Sequence, residues 1–275
     1  REPLATLLDM FPSVEWVHAR SAGIDFITSP QLRSQARGGV ALTNAKGCFS
    51  STLAEYTLMA CSYFAKDLPR LLKNKNAKNW DRYDVLELRG ATMGIIGYGD
   101  IGRAVAKLAD AYGMNVLALR RNPKRSMYDP YIKKAYGGED INELVSECDY
   151  IVVAAPLTED TRGLIDANVL SHVKKDAVLI NVGRGPIIDE EAMIRSLQQQ
   201  QNGGKLKGAA LDVTTIEPLP SDSPLWSMEN VLLSPHNMDK TANFLREATE
   251  MFVEENLPRY LRGLDLLNPV DKVAG

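Results

Sequence analysis

A chain of 275 residues with 45% hydrophobic composition can bury one large core, or two smaller ones, without help from disulfides or metals. Its 32 basic and 35 acidic side chains leave a formal net charge of −3, so nothing global draws it to nucleic acid or to an anionic membrane, and any anion site must be a local cluster. Cys48, Cys61 and Cys148 are odd in number and lack the paired spacing of a zinc or redox motif; they read as buried thiols in a reducing compartment, with no metal site expected. No apolar run approaches the ~18 residues of a membrane span and no basic-then-apolar leader opens the chain, which predicts a soluble, cytoplasmic protein.

The first residues, Arg1 to Met10, read as the middle of an amphipathic helix with Leu4, Leu7, Leu8 and Phe11 on one face, so a natural start upstream is expected, and with it an organellar address becomes open. Val14 to Ile24 and, after Gly38-Gly39, Val40 to Thr43 are β-type runs that end in loops. Ser50, Ser51 or Thr52 can cap a long helix whose apolar positions run from Leu53 to Leu68, and Lys73 to Asn79 reads as a solvated connection. After Gly90 the elements alternate. Strands are predicted at Thr92–Ile96, Asn115–Leu119, Tyr150–Ala154, Val178–Val182, Gly208–Val213 and Val231–Ser234, with helices at Ile101–Tyr112, Ile141–Glu147 and Glu190–Gln200. Strands that are apolar throughout, separated by amphipathic helices, argue for a doubly wound parallel α/β sheet covered on both faces.

Between the strand Thr92–Ile96 and the next helix lies Gly97-Tyr98-Gly99-Asp100-Ile101-Gly102, a GxGxxG pattern in its required strand-to-helix setting. Gly97 permits the tight turn, Gly99 lets a pyrophosphate approach the backbone, and Gly102 lets the helix pack on the strand. Sites for NAD place an acidic residue about 20 positions on, at the end of the second strand, to receive the adenosine ribose. Here that place is Arg120, followed by Arg121, Lys124 and Arg125. Guanidinium forks suit a 2′-phosphate, so NADP is expected over NAD; the plainer reading is a solvated basic loop.

Three later segments stand where strand ends should open into a cleft: Asn181 to Gly185, Asp212-Val213 leading to Glu217-Pro218, and Ser234-Pro235-His236. Reduction of a 2-oxo acid needs a cation for the carboxylate and carbonyl oxygen, an acid for the developing alkoxide, and a hydride donor. Arg184, His236 and a nicotinamide fill those roles, and Glu217 beside the imidazole would orient it and favour its protonated form. Taken singly, each has a plain structural explanation. His18 and His172 lack a comparable setting, which makes His236 the acid candidate.

With these segments in order, the sequence resembles the D-2-hydroxyacid dehydrogenase family over nearly its whole length, and in its arginine pair the NADPH-linked glyoxylate and hydroxypyruvate reductases. The matching pieces are Ser21 to Asp25, Thr43-Asn44 through Gly47 to Ala54-Glu55, the glycine turn, Ala155 to Thr158 with Thr161, Asn181 to Gly185, Leu211 to Val213, and Ser234 to His236 with Thr241. The resemblance implies that Arg184 grips substrate, His236 donates the proton with Glu217 as partner, and Ala22 and Gly23 offer backbone N–H groups to the substrate carboxylate. It also implies that Ala155, Pro156, Thr161, Val182, Gly183, Arg184, Asp212 and His236 belong to the cofactor site, with Asp212 near the nicotinamide amide.

The family fold places a Rossmann cofactor domain, here 83–242, inside a smaller flavodoxin-like substrate domain, here 1–82 and 243–275, with the active site between the lobes. Two chains pair through the cofactor domain as a homodimer. The helix Phe244 to Leu261 would return the chain to the first lobe. Two departures stand out. The substrate lobe lacks about 50 residues at its start against a usual domain of ~100–150, which predicts an incomplete sheet. After His236, where the family has small residues, this chain has Asn237-Met238-Asp239-Lys240. The competing functions are a nucleotide-sensing scaffold like the C-terminal-binding-protein corepressors, and a truncated inactive relative.

Overall fold

The computed structural model describes residues 4–24, 40–199 and 204–270. They group into two compact units, one of Ser50–Ala155 with Glu159–Met238 and a smaller one of Arg1–Phe49, Pro156–Thr158 and Asp239–Gly275. The expected division falls at Tyr83, whereas by contact the larger unit begins at Ser50.

The larger unit is built on a seven-stranded sheet in the order β5-β4-β3-β6-β7-β8-β9. Its strands are β3 (Thr92–Ile96), β4 (Asn115–Leu119), β5 (Lys134–Tyr136), β6 (Tyr150–Val153), β7 (Ala177–Asn181), β8 (Leu206–Leu211) and β9 (Val231–Leu233). Every pairing is parallel. The chain winds outward from β3 to β5, then returns to lay β6 against the other side of β3, so the strand order reverses between β3 and β6. In such sheets the loops at the reversal part and leave a crevice at the strand carboxyl ends.

Both faces of the sheet are covered, which is why its central strands are apolar without alternation. On one face lie α2 (Ser50–Ala65) and α4 (Asp100–Ala111), packed on each other, and on the other α5 (Ile141–Glu147), α6 (Ala167–His172) and α7 (Glu190–Gln198). Close approach is bought with missing side chains: a Cβ at Gly94 of β3 would stand 2.4 Å from Cys148 Sγ, and one at Gly208 of β8 would stand 2.3 Å from the Phe64 ring of α2. α2 is buried nearly all round, through Leu53, Tyr56, Leu58, Cys61 and Phe64 among others. Burial pushes the Cys148 thiol up to about 12 and raises Cys61 as well, so both are inert hydrophobes. Cys48 is only half-buried, against expectation; all three thiols are unpaired.

In the smaller unit β1 (Trp16–Ala19) and β2 (Ala41–Asn44) form a parallel pair, with α1 (Leu4–Met10) contributing Leu8 to their core. Leu7 and Phe11 of the expected apolar face are exposed. The chain returns through α8 (Phe244–Glu250), a π-helical stretch Met251–Asn256 and α9 (Leu257–Leu261), one run where the sequence predicts one helix. Asn256, fully buried, accepts from Leu267 N at 2.7 Å and donates to Leu267 O at 3.1 Å, and Val270 N then reaches Leu42 O.

Lys73–Asn79 is not simply a solvated connection, because α3 (Leu68–Asn76) covers its first half. Asp67 caps this helix through Arg70 N, and Arg70 pairs with Asp81 at 2.6 Å; no residue of α3 is buried, and its Leu71 and Leu72 are exposed. Expected features at Asp25, Gly38-Gly39 and the 200–203 loop lie outside the described residues. Among the described residues no helix is long and apolar enough to cross a membrane.

In β1, Trp16 Nε1 donates to Thr43 Oγ1 at 2.9 Å, and the Thr43 hydroxyl meets His18 Nδ1 at 2.8 Å. Indole only donates, so Thr43 passes its proton to Nδ1, and neutral His18 carries its own proton on the buried Nε2, which has no hydrogen-bond partner among the described residues. Burial holds the His18 pKa below its ordinary 6.5. The unfolded chain thus binds a proton before the folded one does, and stability present above pH ~6.5 is lost as pH falls through the lower folded value. Thermal midpoints from pH 8 to 5 should fall further for wild type than for His18→Gln; parallel curves would refute this.

Candidate active site

β3 ends in Gly97, whose φ of 97° belongs to the left-handed region that side chains avoid. A Cβ there would also lie 2.4 Å from Ala155 N, beyond β6, and Gly97 N donates to Leu119 O at 3.0 Å. The turn is therefore fixed between its two neighbouring strands, at the point where the strand order reverses. Gly102 packs its helix onto the turn, since a Cβ would meet Gly97 O at 2.4 Å. Gly99 differs: it caps α4 without a side chain, and a Cβ there would meet nothing within 4 Å. An open space beside uncapped N–H groups at a helix start is what a pyrophosphate requires. Tyr98 turns its side chain into the core and leaves the turn only its backbone, Asp100 is exposed and Ile101 half-buried.

β4 runs into Arg120, half-buried, whose backbone N donates to Tyr136 O at 3.0 Å and whose guanidinium donates to the Ser126 hydroxyl. Arg121 is exposed. The first carboxylate along this loop is Asp129, held by Arg103 at 2.7 Å. No acidic group takes the strand-end place, and the residues present fit a phosphorylated adenosine ribose.

At the end of β7, Asn181 accepts from Gly183 N at 3.0 Å and donates to Arg184 O at 3.1 Å, folding the Val182–Arg184 turn around its buried amide. Gly183 lies against Ala155 O, and a Cβ on Gly185 would stand 2.0 Å from Thr214 O beyond β8. Arg184 is half-buried and donates to Gly183 O at 2.9 Å. Val182 is buried.

Asp212 is 2% exposed, and its Oδ1 accepts from Ser234 Oγ at 2.7 Å, Asn237 N at 3.1 Å and Met238 N at 3.3 Å. Its carbonyl accepts from His236 N at 2.9 Å, and Thr52 of α2 donates to Met238 O at 2.7 Å. The loop carrying His236 is thus tied down on both sides of that residue. Burial, and secondarily the Asp212 charge, push the Tyr56 hydroxyl of α2 up to about 12, so the phenol nearby stays neutral.

His236 Nδ1 lies 2.8 Å from Glu217 Oε2, with both side chains 38% exposed. Glu217 Oε1 accepts from Thr214 N at 3.1 Å, and Glu190 of α7 accepts from Thr215 N at 2.9 Å. A carboxylate on Nδ1 assigns a proton to that nitrogen and leaves Nε2 for a reactant. Thr214 and Glu190 were not legible from sequence: Thr214 acts through its main-chain N–H alone, and Glu190 through the N–H of Thr215, distant in the chain.

In the smaller unit Ala22 and Gly23 follow β1, where Asn44 donates to Ala22 O at 2.6 Å and Ser21 to Gly23 O at 2.7 Å. Among the described residues their own N–H groups have no acceptor. Pro156 belongs to this unit, whereas Ala155 and Thr161, on either side of it in the chain, belong to the larger one.

Comparison with known proteins places these motifs in a family setting. The family model described as D-isomer specific 2-hydroxyacid dehydrogenase, NAD binding domain, matches residues 58–237. The chain is 34% identical over 250 residues to the D-3-phosphoglycerate dehydrogenase of Methanocaldococcus jannaschii, covering 88% of itself but only 44% of that protein. It is 32% identical over 271 residues to the glyoxylate reductase of Aeropyrum pernix, covering 94% of itself and 76% of the relative. Among solved structures, a D-isomer specific 2-hydroxyacid dehydrogenase from Xanthobacter autotrophicus Py2 in complex with NADPH and MES superposes with a TM-score of 0.86 at 30% identity, covering 99% of this chain and 82% of that one.

The contact between Gly185 and Thr214 makes a direct prediction. Gly185→Ala must part the two loops, and should lower stability by about 1–3 kcal/mol in denaturant titration; an unchanged midpoint would mean that the loops do not touch.

Proposed function

The chain belongs to the D-isomer specific 2-hydroxyacid dehydrogenase family, and from that premise we propose that it reduces a small 2-oxo acid of the glyoxylate or hydroxypyruvate type with NADPH. The observation that carries this reading is the His236–Glu217 pair, 2.8 Å apart, on the strand-end edge that also bears the glycine turn. A relative named as a glyoxylate reductase favours turnover over a sensing scaffold or an inactive remnant.

The cofactor roles fall to Gly97 through Gly102 for the pyrophosphate, Arg120 and Arg121 for the 2′-phosphate, and Ala155, Pro156, Thr161, Val182, Gly183 and Asp212 for the nicotinamide half. When bound, reduced nicotinamide supplies the hydride that the carbonyl carbon accepts. Arg184 neutralises the substrate carboxylate and draws charge onto the carbonyl oxygen; in the smaller unit, substrate binding falls to the N–H groups of Ala22 and Gly23. His236 gives its Nε2 proton to that oxygen, so no free alkoxide forms, and the neutral imidazole left behind keeps its Nδ1 proton, donated in a hydrogen bond to Glu217. Glu217 fixes the ring, and Thr214 N fixes Glu217.

We assign substrate binding to 1–82 with 243–275, and cofactor binding to 83–242. Pairing of two chains through the larger contact unit, which begins at Ser50 and includes the cofactor span, is supported by the exposed apolar side chains Leu71, Leu72, Trp80, Val85 and Leu86 on and after α3. Three unpaired thiols fit a reducing compartment such as the cytoplasm.

Consumption of NADPH, followed by nicotinamide absorbance with glyoxylate or hydroxypyruvate, tests the reading. His236→Ala should lower kcat by about 10²–10⁴-fold. Faster turnover of NADH would sink the cofactor assignment, and an unimpaired His236→Ala the proton-donor assignment.

A further inference from the structure

The loop that follows β4 contains a buried group that the proposed reaction does not use. Ser126 is 3% exposed, although it sits in a run of exposed residues: Arg121, Lys124, Arg125 and Met127. Pro123 opens a single 3-10 turn that ends at Ser126, Arg125 N closes onto Asn122 O at 3.2 Å, and Asp129 N reaches Ser126 O at 3.1 Å. Asp129 is in turn fixed by Arg103 Nε at 2.7 Å and Tyr131 N at 3.1 Å, so the loop is tied to α4. This folding brings the Ser126 hydroxyl under Arg120, where it accepts from the guanidinium.

A free arginine side chain loses rotamer freedom when it grips a phosphate, and that cost weakens binding. Here the cost is met before any ligand arrives. One guanidinium N–H is spent on Ser126, and the other donors of the fork keep a fixed direction. The one carboxylate of the loop, Asp129, is matched by Arg103 and does not compete for Arg120.

We propose that Ser126 is a positioning residue that sets cofactor preference by holding Arg120 ready for the 2′-phosphate. The inference rests on the NADPH reading above. Too buried to meet the ligand, Ser126 acts only through Arg120. Its effect must therefore vanish when the phosphate or the arginine is absent.

Calorimetric titration of the full chain with adenosine 2′,5′-bisphosphate and with 5′-AMP separates the cases without any turnover. Ser126→Ala should weaken the bisphosphate by about three- to tenfold and leave AMP unchanged. In an Arg120→Gln background the same substitution should cost nothing more. Equal weakening of both ligands would reduce Ser126 to a structural part, and a further loss in the Arg120→Gln background would show that it does not act through the arginine; either overturns the proposal. Wild type binding the bisphosphate no more tightly than AMP would overturn the NADPH reading itself, whereas a preference left undiminished by Ser126→Ala would overturn only the role of Ser126.

Discussion

The site depends on backbone lying against backbone along the carboxyl edge of the seven-stranded sheet. Gly97 meets Ala155, Gly183 meets the same alanine, and Gly185 meets Thr214, at separations that no Cβ could share. Parallel strands about 4.8 Å apart bring their loops together, and the missing side chains let those loops lock instead of splaying. One consequence is electrostatic: with the loops locked, the uncapped start of α4, the Arg184 turn and the Glu217 turn hold fixed relative positions. Groups fixed before a reactant arrives need no reorganisation when charge develops on it.

Against that frame the His236 loop is held by charge. His236 has a φ of 51°, a left-handed conformation that costs a non-glycine residue about 1–3 kcal/mol. Asp212 offsets it, since a buried carboxylate accepting three hydrogen bonds gains about 1.5–3 kcal/mol from each. The same carboxylate would be costly if left alone in the core. Asp212 is therefore bound to the loop as firmly as the loop is to it, and the Asn237-Met238 pair, unusual by family resemblance, contributes two of the donors.

Much of this architecture is legible in the sequence because burial on both faces writes itself as continuous apolar strands. Thr92–Ile96 and Asn115–Leu119 are placed to the residue, and the glycine hexapeptide announces its own turn. β5 is missed because Lys134-Ala135-Tyr136 is three residues at a sheet edge, too short for any period to appear. α3 is missed because it buries nothing and is held by a cap and an ion pair. In the site, His236 and Glu217 could be named from the chemistry they suit, and they do meet. What the sequence could not disclose are the supports, Thr214 N, Glu190 and Ser126, because each is chosen by the path of the backbone and not by its residue type.

The proposed function puts the cofactor's pyrophosphate in the empty space over Gly99. Aspartate is a good helix N-cap, and its Cβ would meet nothing within 4 Å, so Gly99→Asp should keep the melting midpoint while placing a negative charge in that space. Titration of the variant with NADPH by nucleotide fluorescence is the most direct measurement. Binding should be lost while the fold remains intact. Binding equal to that of wild type would place the cofactor elsewhere and contradict that placement.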